Sequence, residues 1–322
     1  MDIELLIQGQ GGKIYQPVVE DGVRWETNRK GAPSTLEFTV IKDALISFPE
    51  GSKVQLKVDG KGVFIGYVFQ KSRDKEQRIK VVAYDQLRYF KNKTTFRYTA
   101  KTASELLRMI AGDYPQFTLG TIEDTGYRIA ARNEVDKTLV DIMLNALDIT
   151  VAKTNRLFIL YDDFGKITLR NAENLKLKTL IDNETAENFD YTTTIDEDTF
   201  NQIRLVYEND KTGKREVFIA RDSTNIGNWG LLEYSATISK DTSAKAMADG
   251  LLALKNRKTR NLTIRNALGD PSVRAGCSLP IHLNLGDIVT QQYLMCESVT
   301  HYFSPDYHTM DLTLFDSNTF VG

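Results

Sequence analysis

Three histidines limit the chemistry open to this 322-residue chain, and two of them are near neighbours. His301, Asp306, His308 and Asp311 gather around one short polar stretch. Imidazole and carboxylate groups together can hold a divalent metal, so these four are the candidate ligands. The competing reading is a pair of packed histidines, and local pattern favours it. With Ser304 to Tyr307 as a hairpin loop and Phe303 facing His308, one sheet face carries Val299, His301, Phe303, His308, Met310 and Leu312. That face is mostly apolar, which is a core side and not a metal basin.

Other reactive types are present without the spacing that chemistry needs. A glycosidase sets two carboxyls across a cleft, whereas Asp162-Asp163 and Asp196-Glu197-Asp198 are adjacent acids in turn-like stretches. There is no Gly-x-Ser-x-Gly elbow, no cysteine and histidine in helpful context, and no GxGxxG after a strand. Gln10-Gly11-Gly12 is followed by neither a helix nor a Lys-Ser/Thr pair, so it reads as a tight turn and not a phosphate loop. Lys255, Arg257, Lys258 and Arg260 crowd the end of a helix, where cations suit the dipole; a solvated helix end explains them better than a phosphate site. The sequence therefore names no catalytic, cofactor-binding or metal-binding residue. A structural component is expected, not an enzyme.

The elements that carry these residues are mostly strands. In residues 1–95, Ile3/Leu5/Ile7, Val23/Trp25, Leu36/Phe38/Val40, Val54/Leu56/Val58, Phe64 to Phe69 and Ile79 to Tyr84 alternate or run apolar, with Asp59-Gly60-Lys61-Gly62 as a turn. The polar run Lys71 to Arg78 separates the last two. Six or seven short strands predict a small barrel or sandwich. Residues 96–195 change period. Thr102-Ala103-Ser104-Glu105 is a capping box, with Leu106, Leu107, Met109 and Ile110 behind it. A second helix is expected from about Asp136 to Asp148, with Leu139, Ile142, Met143, Ala146 and Leu147 on one face. A hairpin turns around Asp162 to Gly165. The acidic stretch Asp182 to Asp198 reads as a linker.

Residues 196–322 return to strands, at Gln202–Tyr207, Glu216–Ile219 and Leu231–Tyr234, with Gly213 and Asn228 at turns. One long helix is expected at about 241–257, capped by Asp241. Ala244, Met247, Ala248, Leu251 and Leu254 form its apolar face. Gly269-Asp270-Pro271 is a turn, and Leu279, Ile281 and Leu283 alternate. An echo links the two ends of the chain. Val54-Gln55-Leu56-Lys57-Val58, a strand from Phe64, and Arg78 to Asp85 resemble Leu279-Pro280-Ile281-His282-Leu283, a strand from Tyr293, and Thr309 to Asp316. Both stretches finish on an aromatic residue and an aspartate, as a repeated barrel would.

Composition is ordinary for a globular protein, with 41% apolar and 26% charged residues. A formal net charge of −2 lacks the basic footprint of a nucleic-acid binder. Cys277 and Cys296 read as two free thiols in a reducing compartment. No apolar run looks like a signal peptide or reaches the length of a membrane span, so no membrane insertion is expected.

Three stretches carry a family resemblance. They are Val81 to Phe90, which includes Tyr84 and Asp85; Asp222 to Gly230; and, near the end, Leu268-Gly269-Asp270, Val273-Arg274-Ala275-Gly276 and Ser298 to Phe303, which includes His301. In that order they resemble the baseplate hub proteins of contractile phage tails and phage-tail-like bacteriocins, nearest to the XkdQ/YqbQ branch of defective prophages. They are more distantly similar to the late control protein D family and the hub part of type VI secretion spikes. Cys277 departs from the polar or acidic residue expected after Gly276.

The resemblance implies a mainly β chain in three parts. Tube-like β-barrel domains at 1–95 and 196–322 would flank a mixed α+β domain at 96–195. It further implies a homotrimer whose six barrels match a hexameric tail tube on one side and a trimeric spike on the other. Tube, spike and other baseplate proteins would be its partners, without cofactor and without specific nucleic-acid binding. It would assemble in the bacterial cytoplasm and end in the tail baseplate. A tail-associated peptidoglycan hydrolase or cell-wall binder is the alternative.

Overall fold

Alternating apolar residues make nearly every strand expected in the first 95 residues. In a computed structural model, which describes residues 1–43, 45–196, 199–208, 215–238, 244–286 and 289–315, these are Ile3–Gln8, Ile14–Tyr15, Val19–Asn28, Thr35–Ile41, Lys53–Val58, Lys61–Arg73 and Arg78–Tyr84. Inward residues such as Ile7, Leu36, Val40, Leu56 and Val81 are fully buried. Asp59 and Gly60 both take positive φ, at 48° and 76°, the tight hairpin turn read from Asp-Gly. One boundary differs. The strand after that turn continues through Lys71 to Arg73, because its neighbour Arg78–Tyr84 pairs with it as far as Arg73–Ile79. Polar residues at a sheet's rim keep their backbone bonds, so periodicity alone stops short of them.

The described residues divide into two compact units, one of residues 1–190 with 263–315 and the other within 191–262. The boundaries fall elsewhere than 95 and 195 because strand pairing, not chain order, holds the first unit together. Its main sheet has thirteen strands and joins both ends of the chain: Ser298 to Phe303 pair antiparallel with Asn28 to Val23. Among the described residues the strand order is an open path.

Against this sheet the first unit carries an α+β layer with its own core. Thr102 caps the helix Ala103–Asp113 with the reciprocal Glu105 bond of a capping box. The second helix starts later than expected, at Leu139–Thr154, capped by Thr138. Asp136 lies instead in the strand Arg132–Thr138, at φ 50° and beside an irregularity in its pairing. The apolar face Leu139, Ile142, Met143, Ala146 and Leu147 is buried as the spacing requires. Met109 is the exception on the first helix, at 37% exposed. The strands Phe158–Asp162 and Ile167–Asn171 form the hairpin around Asp163 to Lys166. The stretch read as a linker holds strands Ile181–Asp182 and Ala186–Thr194. Few apolar residues are needed in Ala186–Thr194, which lies at the sheet margin with much of its side-chain surface in solvent, whereas Ile181 of the short strand is fully buried.

The second unit is a three-stranded sheet. Gln202–Glu208 pairs antiparallel with Arg215–Arg221 and parallel with Glu233–Ile238. The helix Ala244–Lys255 packs Ala248, Leu251 and Leu252 on Ile203 and Leu205. Met247 is 47% exposed, because the buried stripe follows 244, 248, 251 and 252. The Asp241 cap and the Gly213 turn lie outside the described residues.

The sequence echo is a structural repeat. In the first meander, Tyr67 of the long strand Lys61–Arg73 pairs with both Lys53 and Tyr84. In the second, Met295 of the long strand Val289–Phe303 pairs with both Ser278 and Phe315. Each long strand thus gives its first half to the preceding strand and its second half to the following one. Each also has an irregularity two residues on, between Val68 and Gln70 and between Cys296 and Ser298, the extra residue of a β-bulge.

The bonds around the meanders repeat as well. Gly51 N donates to Val68 O (2.7 Å) and Val68 N to Ser52 O (2.9 Å); Gly276 N donates to Cys296 O (2.8 Å) and Cys296 N to Cys277 O (2.8 Å). Ile41 N to Val18 O corresponds to Leu268 N to Thr185 O, and Lys42 N to Gln77 O corresponds to Gly269 N to His308 O. Val54 to Val58 therefore matches Leu279 to Leu283, the register of the sequence echo.

Candidate functional site

Buried polar groups, not a cleft, mark the region where the family-like stretches meet. Asp85 ends the strand Arg78–Tyr84 and caps the short 3-10 helix Gln86–Lys91. Its Oδ1 accepts from Leu87 N (2.9 Å), and its Oδ2 accepts from Ser34 N (2.8 Å) and Ser34 Oγ (2.5 Å). Gln86 carries the network onward. Its Nε2 donates to Asp162 Oδ2 (3.0 Å) and Gly165 O (2.5 Å), and its Oε1 accepts from Thr118 N (3.1 Å). Asp162 Oδ1 takes Gly165 N (2.6 Å). Arg274 closes the seam from the C-terminal part of the chain, donating Nη1 to Asp162 O (2.9 Å) with its guanidinium 3.8 Å from the Tyr161 ring centre.

Burial, then the nearby Asp162 carboxyl, pushes Asp85 up to about 7, while burial raises Asp162. Such shifts also occur in catalytic acids. Here, however, all four carboxyl oxygens accept internal hydrogen bonds, so the pair braces a junction. Beside it a crevice of about 310 Å³ is lined by Lys61, Tyr161, Arg170 and Arg274, among others.

The histidines form a second brace. His301 Nε2 lies 2.8 Å from Val273 O, and Nδ1 lies 2.9 Å from His308 Nε2. A carbonyl oxygen only accepts, so His301 donates from Nε2, and His308 donates to its free Nδ1. Burial holds His301 neutral, down to about 3, and lowers His308 to about 4. The His301 ring stacks between Trp25 (5.0 Å) and Phe303 (5.4 Å). Both of its nitrogens are committed. Asp311 Oδ1 is bonded to Asn266 N (2.9 Å), and Asp306 is exposed in the loop. Among the described residues no three of His, Cys, Asp and Glu gather around a metal position. The packed reading of the histidines is the one the geometry supports.

The remaining family-like positions are structural too. Gly269 packs on His308: a Cβ there would lie 2.2 Å from the ring. Gly276 has φ 88°, and a Cβ would lie 2.5 Å from Ile159 Cγ2. Tyr84 meets Phe69 edge-on at 5.4 Å. In the second unit, Asp222 caps the helix Ser223–Trp229 through Thr224 N and Asn225 N, and Gly230 ends it at φ 79°. The structure thus brings Asp85, Gly269, Arg274, Gly276 and His301 into one unit, with Asp222 and Gly230 in the other. Cys277 and Cys296 are buried thiols 3.9 Å apart. Sequence reasoning missed Ser34, Gln86, Asp162 as a brace, and Gly51. Only Gly51 had a signal, since Gly51-Ser52 precedes its strand as Gly276-Cys277 precedes the other.

The same architecture occurs in a known class. The 43 kDa tail protein of prophage MuSo2 from Shewanella oneidensis superposes with a TM-score of 0.71 at 11% identity, over 98% of this chain and 99% of that one. The E. coli c3393 protein, described as a type VI secretion component structurally similar to bacteriophage T4 tail proteins gp27 and gp5, gives 0.54 at 10% identity, over 98% and 76%. The fold is that of phage-tail proteins. Residues 23–315 match the YQBQ-like family model. The chain is 30% identical to the phage-like element PBSX protein XkdQ of Bacillus subtilis (strain 168), over 94% of each. It belongs to the YQBQ-like family.

Proposed function

We propose that this chain is a baseplate hub of a contractile injection particle, a homotrimer that adapts a hexameric tail tube to a trimeric spike. One observation carries the reading: two equivalent meanders in one chain, matched in register, bulge and turn. Three such chains present six equivalent modules around one axis, while the rest of each chain keeps threefold symmetry. Residues 1–95 and the C-terminal strands would supply the tube-like modules, with the α+β segment outside them. Tail-tube, spike and other baseplate proteins are the partners, and assembly would precede incorporation into the tail. Likeness to XkdQ and to a type VI component supports this setting. No helix of the described residues is long and apolar enough to cross a membrane.

Co-expression with the tube and spike proteins of the same element, followed by electron cryomicroscopy, tests the reading. Three copies between tube and spike are expected. Any other copy number, or a position on the sheath or fibres, would sink it. A cell-wall hydrolase would instead clear peptidoglycan in a zymogram.

A further inference from the structure

We infer that the outer edge of the first long strand, at residues 70–73, pairs antiparallel with the strand beginning at Ala186 of a second copy of this chain. The inference rests on the hub reading and supplies its joint. The template lies within the chain. Past its bulge, the second long strand gives one edge to His308–Phe315 and the other to Val19–Asn28. That second contact is an antiparallel ladder, with Arg29 N on Glu297 O (2.9 Å) and an Arg29–Glu297 ion pair (2.6 Å). By the matched register, 70–73 of the first long strand correspond to 298–301. They have Arg78–Tyr84 on one side and, among the described residues, no strand on the other.

The matching half-joint is also open. Val19–Asn28 enters its sheet through Ile41 N on Val18 O, and Ala186–Thr194 enters through Leu268 N on Thr185 O. The strand beginning at Ala186 is therefore the counterpart of the one that takes 298–303, and among the described residues it ends the strand order with a single neighbour. An unpaired strand edge is a template for another strand.

Exposure agrees. Val299 and His301 are buried, whereas their counterparts Lys71 and Arg73 are half-buried and exposed. Arg73 has no ion pair among the described residues, while Lys71 reaches Phe48 O at 2.6 Å and Glu50 at 3.7 Å. The other edge carries Glu187, bonded to Asn266, and Asp190, paired with Arg265, both side chains exposed. A basic edge thus meets an acidic one, and the occupant is a second copy because this chain holds both halves.

The test uses the full chain with Ser72→Cys and Thr193→Cys, since Thr300 pairs with Glu26 in the in-chain joint; they are treated with a short bis-maleimide that tolerates a slip of two residues, roughly 7 Å of strand. The unmodified chain, with its two cysteines buried, is the control. Light scattering should give three times 36.5 kDa. The double variant should cross-link to covalent trimers, and each single variant should not. Lys71→Glu with Arg73→Glu should weaken association at least tenfold while the far-ultraviolet spectrum is kept. A trimer that never cross-links through this pair overturns the inference and leaves the hub reading intact. A chain that stays monomeric at its highest soluble concentration also overturns it, and the hub reading is then judged by particle imaging alone.

Discussion

Asp85 and His301 titrate in opposite directions on folding, which makes them separable. Asp85 is raised to about 7 by burial and by Asp162. The folded chain therefore holds that proton more tightly than the unfolded one, and the contribution to stability fades as pH rises from about 4 to 7. His301 is lowered to about 3. Its contribution is present above the unfolded value near 6.5 and is lost as pH falls. The His301 term amounts to about 2 kcal/mol between pH 7 and pH 5. Urea unfolding of His301→Phe should show a shallower acid loss, and Asp85→Asn a steeper one. Equal slopes in both variants would refute these assignments. Asp85→Ala leaves three donors unmet and should cost about 2–4 kcal/mol at pH 7. The repeated turn gives another test. Gly51→Ala meets open space and suffers only backbone strain, about 1–2 kcal/mol. Gly276→Ala adds a clash with Ile159 and should cost about 3–5 kcal/mol. Equal losses in thermal melts would show that the two turns are not packed as described.

At the scale of elements, much was legible because period-2 and period-3.6 patterns follow burial. The strands around Leu36, Leu56 and Val81, the Thr102 capping box and the Leu139 helix face all follow from residue type and spacing. The hairpin with Phe303 opposite His308 has the expected register. What escaped reading depended on the backbone. Bulges at the centres of the long strands leave no residue signature, since Phe69 and Glu297 share nothing in side-chain chemistry. Pro49-Glu50-Gly51-Ser52 and Arg274-Ala275-Gly276-Cys277 make the same bonds with one residue in common. The polar seam was illegible for a different reason. Gln86 and Asp162 are distant in sequence and become partners only when the hairpin reaches the 3-10 helix. Deleting Phe69 should remove the first bulge, keep Gln70 opposite Val82, and take away the extra twist that bends 70–73. Proteolysis near Lys71 measured against the intact chain would detect it; unchanged cleavage would contradict the bulge.

For the whole molecule, the in-chain joint between Val19–Asn28 and Ser298 to Phe303 has a consequence in time. Its two sides are tethered, so each meets the other at an effective concentration far above that of any free subunit. The proposed joint between chains would have no tether and would depend on how many copies the cell has made. Two contacts of one design would then form at different moments, the first as each chain folds and the second only when subunits accumulate. A ring built this way would keep its subunits apart until there are enough of them, its timing set by which joints the chain makes with itself.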